Sequence, residues 1–155
     1  GVNRIAGGIL GGATGISVMS LVLLLLEVET REQVRAFDAV ARYVGMPGNT
    51  FVGFVTFAFV GTVIWPLLFV AIEPSLPFDD PPSNGMLLGA ALWIAFFVLG
   101  RGDITGPLLA VFAGFTIAAH LAYGFLLGAF YDRFGGSADS ATEQPRERSV
   151  DRNSP

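Results

Sequence analysis

Cysteine and lysine are both missing from this chain, and histidine occurs once. Without cysteine there is no disulfide, no thiolate metal site and no thiol nucleophile. All 9 basic residues are arginine, and 13 acidic residues leave a net charge of -4. A lysine-free, acidic composition fits a GC-rich genome, a halophile, or both. No patch of basic residues interleaved with aromatics occurs, so nucleic-acid binding is not expected. Charge as a whole is scarce. Only 14% of the 155 residues are charged, against roughly 25% in soluble domains, while 52% are hydrophobic and fall in long runs.

Those runs predict an all-α polytopic membrane protein. Four spans are long and apolar enough to be read as transmembrane helices, at about 5–26, 50–72, 85–99 and 107–131. The third is short. Between the first two, residues 30–44 form an amphipathic pattern, with Val34, Phe37, Val40, Ala41 and Val44 on one face. Thr30 and Gln33 fit a capping box. This segment suits a helix in the membrane interface, or equally a cover over the end of the bundle. The stretch from Glu73 to Asn84, with four prolines, reads as an extended loop, and Asp79 with Asp80 is a weak cation site. Pro66, inside the second span, removes a backbone donor and predicts a kink or a freed carbonyl near Thr62. The methionines fall at span ends or in loops. Residues 135–155 are polar and predict a disordered tail.

Small residues mark where helices meet. Gly7, Gly11 and Gly15 share one stripe of the first span, with Gly8 and Gly12 beside it, and Gly124 and Gly128 repeat the spacing in the last. Such sites let helices approach closely, here within the chain rather than across a dimer. The spans contain no Asp, Glu, Lys or Arg. Proton-coupled transport and ion pumping usually need such a group. No Ser-His-Asp set, metal-ligand cluster or phosphate loop can be assembled, so no catalytic or metal-binding residues are expected. The chemistry that remains is His120 with Tyr123, on one helical face with Thr116 and Gly124. His120 reads as a structural hydrogen bond to a neighbouring helix, a contact to a partner, lipid or quinone, or a metal or haem ligand. One histidine excludes bis-histidine haem within a single chain, though two chains would supply a pair.

The glycine-rich first span, together with His120-x-x-Tyr123-Gly124-x-x-x-Gly128 in the last, resembles small four-helix membrane proteins of unknown function from halophilic archaea and some bacteria. The likeness covers about residues 1–134. It implies an accessory subunit, since genes of such proteins resemble neighbours of haem-copper terminal oxidase genes. Related chains tend to carry a second histidine in the second span, where this one has Thr56 and Phe57. The expected function is therefore a non-catalytic accessory or assembly subunit of a larger membrane complex, respiratory by this resemblance. A small transporter or channel, and a haem- or quinone-binding protein using His120 and Tyr123, are the alternatives. The expected partners are membrane lipid and other membrane subunits or a second copy. The expected location is the cell membrane, with cytoplasmic termini because Arg4 precedes the first span while Glu27 and Glu29 follow it.

Overall fold

The computed structural model describes residues 2–31 and 33–150, with side chains up to residue 135. The described chain is five helices and no strand: α1 (Val2–Glu29), α2 (Ala36–Tyr43), α3 (Thr50–Ser75), α4 (Pro81–Gly100) and α5 (Pro107–Val150). All but α2 contain a window long and apolar enough to cross a membrane. Their outer faces carry large apolar residues, such as Leu21, Phe51, Ile94 and Val98. Exposed apolar surface on helices of this length suits membrane spans.

Boundaries differ from the sequence pattern where polar side chains cap. Thr30 does not start a helix. Its hydroxyl donates to the Leu26 carbonyl (2.7 Å) and accepts from the Val34 amide (3.3 Å), closing the end of α1. Arg31, at φ 50°, then turns the chain, and α2 begins only at Ala36. The Phe37 ring packs edge-on against Phe54 and Phe57, so α2 lies against the start of α3. The supposed loop before the third span is partly helical. Glu73–Ser75 is a 3-10 turn, and α4 starts at Pro81, capped by Asp80, whose carboxylate accepts from the Ser83 amide (2.8 Å). The third span is thus 20 residues long. Buried Asn84 bonds both the amide and the carbonyl of Phe78 and draws the loop over the bundle end. Beyond 131, α5 continues through Val150, into the stretch expected to be disordered. Residues 151–155 of that expected tail lie outside the described ones.

Pro66 produces a change of helical register rather than a plain kink. Val60–Ile64 is a π-turn, in which the Trp65 amide bonds the Val60 carbonyl five residues back. In that register the next bond would run from residue 66 to Gly61. Proline has no N–H, so the carbonyl set free is that of Gly61, one residue before the position that α-helical counting gives.

Helix α5 packs against α1 on one side and α4 on another, while α1 also packs against α3. Helices α3 and α4 have no comparable contact with each other, and a gap is left between them.

Candidate functional site

Helix α5 brings Thr116, His120, Tyr123 and Leu127 onto one buried face, as spacings of three and four residues require. Thr116 is the hub at its upper end. Its hydroxyl donates to the Phe112 carbonyl (2.6 Å) and accepts from the Trp93 indole of α4 (3.0 Å). Tyr123 reaches across the bundle, and its hydroxyl donates to the Gly61 carbonyl at 2.5 Å. The carbonyl that Pro66 leaves unpaired in α3 is therefore satisfied from α5. An unpaired carbonyl in this setting costs about 1–3 kcal/mol, so the bond locks the two helices in one register.

A hydrogen bond to a neighbouring helix was one of three readings of His120. Its Nδ1 instead lies 2.7 Å from the Thr116 carbonyl of its own helix. Helical side chains point back toward the N-terminus, which brings the ring over the preceding turn. A carbonyl only accepts, so Nδ1 carries the proton. In the uncharged ring Nε2 is then a bare lone pair. Among the described residues Nε2 has no hydrogen-bond partner, although His120 is only 5% exposed. The Phe96 ring lies 5.2 Å from the imidazole.

The side chain lines a cavity of about 260 Å³ in the gap between α3 and α4. Its walls are almost wholly apolar: Phe57 and Trp65 from α3, Leu92 and Phe96 from α4, Ile16 and Met19 from α1. Val40 and Tyr43 of α2 line it as well, and the Tyr43 hydroxyl donates to the Leu99 carbonyl. Met19 was placed near a span end by sequence. Because α1 runs on to Glu29, it lies deep in the bundle and is 4% exposed. Among the described residues no group of three or more potential metal ligands occurs. Asp80, the weak cation candidate, serves as the cap of α4.

The glycines form the seams around this cavity. A Cβ at Gly7, Gly11 or Gly15 would press on α5, at Phe130, Leu127 and Tyr123 respectively. Gly12 faces the Pro66 ring and the Gly61 carbonyl of α3. Gly124 and Gly128 face the backbone of α4 at Gly85 and Pro81. Sequence reading did not single out Gly61, Gly85 or Gly89 as packing sites. Gly85 and Gly89 carry the same four-residue spacing as the glycines of α1, and that spacing was the available signal. Nothing local marks Gly61 until the π register is known.

No curated protein and no solved structure matches the chain. A family model matches residues 2–142, nearly the whole of the described helices. The chain belongs to that family, DUF6789, a family of unknown function.

Proposed function

We propose that this protein is a non-catalytic, multi-pass cell-membrane protein that binds a small lipid-soluble molecule in the cavity at His120. The observation that carries this reading is the buried imidazole whose Nε2 is left without a partner at an apolar cavity. A polar atom at bilayer depth is costly without a partner, and sites between helices of bundles are common ligand positions. At about 260 Å³ the space falls below the roughly 300–1,000 Å³ of most drug-sized sites. That favours a single small ring system and disfavours the porphyrin of the haem reading. The apolar walls do not favour a water-filled pathway. The test is organic extraction of protein purified in its native lipid, followed by mass spectrometry. We expect one small molecule retained in stoichiometric amount and lost in His120→Leu. Extracts of both proteins that contain bulk lipid alone would refute the reading.

The accessory-subunit reading stands second, on one observation. Only 17% of the most apolar window of α3 is buried, against 39% in α1. Its outer face, with Phe51, Phe54 and Phe59 exposed, is available to another membrane subunit. Co-purification of a defined partner from native membranes supports this reading, and a lone monomer opposes it. The acidic, lysine-free composition supports a high-salt setting, and the Arg4 and Glu27 flanks of α1 support cytoplasmic termini.

A further inference from the structure

We infer that the cavity selects a ligand by the direction of one hydrogen bond: it takes a neutral aromatic molecule that carries a hydroxyl donor, and discriminates against the same ring bearing only an acceptor. The inference rests on the proposed binding role and adds the chemical class of the occupant.

Three observations combine. The Thr116 carbonyl fixes the tautomer of His120, because an oxygen that can only accept must receive a proton from Nδ1. Nε2 is consequently an acceptor and nothing else while the ring is uncharged. The neighbouring hydroxyls with settled partners are already committed: Tyr123 to Gly61, and Tyr43 to Leu99. They donate elsewhere, so neither supplies a donor for a ligand carbonyl. The donors left on the wall, the Thr56 hydroxyl and the Trp65 indole N–H, both belong to α3, whereas Nε2 stands on α5. Finally, the walls are rich in rings. Phe57, Trp65, Phe96 and Tyr123 surround the space, which suits a flat aromatic guest packed face to edge.

A phenolic hydroxyl satisfies Nε2 at no cost to any bond the protein already makes. A ketone or an ether would place an oxygen lone pair against the nitrogen lone pair. Nε2 would gain no partner, and the ligand oxygen would have to turn away from it to the Thr56 hydroxyl or the Trp65 indole N–H on α3. Of a redox couple in which one form carries hydroxyls and the other carbonyls, the hydroxyl form is the one that fits. The gap between α3 and α4 gives such a molecule a lateral route from the bilayer, since Ala95 and Leu99 at its edge are exposed.

The experiment uses the full-length protein in nanodiscs, titrated with 2-naphthol and with 2-methoxynaphthalene, each referenced to protein-free nanodiscs to remove lipid partitioning. The two probes share their ring and differ in the donor. We expect 2-naphthol to bind about tenfold more tightly, and the preference to collapse in His120→Leu. If both probes bind wild-type protein equally and Thr56→Phe, which fills the cavity, abolishes both, the donor selection is wrong and the binding role stands. Binding of neither probe overturns both. The probe ratio on wild-type protein decides the question alone if His120→Leu does not fold.

Discussion

Replacing Tyr123 by phenylalanine removes one oxygen and leaves the ring that packs against Gly15 in place. The cost then reports the bond to Gly61. That carbonyl has lost its own helical donor to Pro66, so Tyr123 is the partner that remains, at 2.5 Å and in a buried position. Interhelical hydrogen bonds in membrane proteins average only about 0.6 kcal/mol, with a maximum near 1.7, because the freed groups usually find another partner. Here the π-turn geometry and the missing N–H deny the Gly61 carbonyl that alternative. The cost should therefore lie at the upper end, about 1.5 kcal/mol, or roughly a tenfold shift in the folding ratio. The assay is equilibrium unfolding in mixed micelles with increasing SDS, followed by far-UV ellipticity. The decisive step is a double-mutant cycle with Pro66→Ala. Alanine restores an N–H at residue 66, and the Gly61 carbonyl regains a donor in its own helix. In that background Tyr123→Phe should cost less than about 0.5 kcal/mol. Equal costs in the two backgrounds would refute the claim that proline and tyrosine share one carbonyl.

The α4–α5 seam predicts a contrast between two glycines. Gly85→Ala places a Cβ less than 3.0 Å from the Gly124 backbone, which cannot yield, so SDS unfolding should show destabilisation of about 2–3 kcal/mol. Gly114→Ala meets nothing within 4 Å and should be neutral or stabilising by about 0.5–1 kcal/mol. Asp80 predicts an acid limb. The hydrogen bonds from Ser83 hold its carboxyl below the ordinary 3.8. Its contribution is thus present above that value and lost as the pH falls through the lower folded one. In acid titrations of stability, Asp80→Asn should remove that part of the pH dependence. Because the chain has no cysteine, single introduced thiols report topology cleanly. A membrane-impermeant maleimide added outside intact cells should label Thr105→Cys and spare Ser75→Cys, and the reverse pattern would invert the orientation.

How much was legible in the sequence follows from the range of each interaction. The four spans, and the α1 glycine stripe as a close-approach surface, are local patterns of hydrophobicity and spacing, and a single chain states them directly. The start of α4 depends on a cap, and α2 starts late because Thr30 closes α1 instead. Thr30 looked like an N-cap, but its hydroxyl bonds backward to Leu26. Asp80 was weighed as a cation ligand while it caps α4. The pairing of Tyr123 with Gly61 spans 62 positions and depends on a register shift that only the folded helix reveals. The sequence marked His120 and Tyr123 together because they share a helical face. It did not distinguish them, and in the fold they differ in kind. Tyr123 is committed to holding the bundle, whereas His120 keeps one nitrogen available. Met19, Phe57 and Phe96 join the site from three other helices, through packing that periodicity along one helix does not encode.

The most direct test of the central claim uses the fact that there is one histidine. Protein labelled with ¹⁵N-histidine in nanodiscs gives a single pair of ring-nitrogen signals. In the ligand-free protein Nδ1 should be protonated and Nε2 unprotonated, with the Nε2 signal moving on addition of 2-naphthol and staying in place with 2-methoxynaphthalene. A proton on Nε2, or an Nε2 signal indifferent to both probes, would contradict the claim.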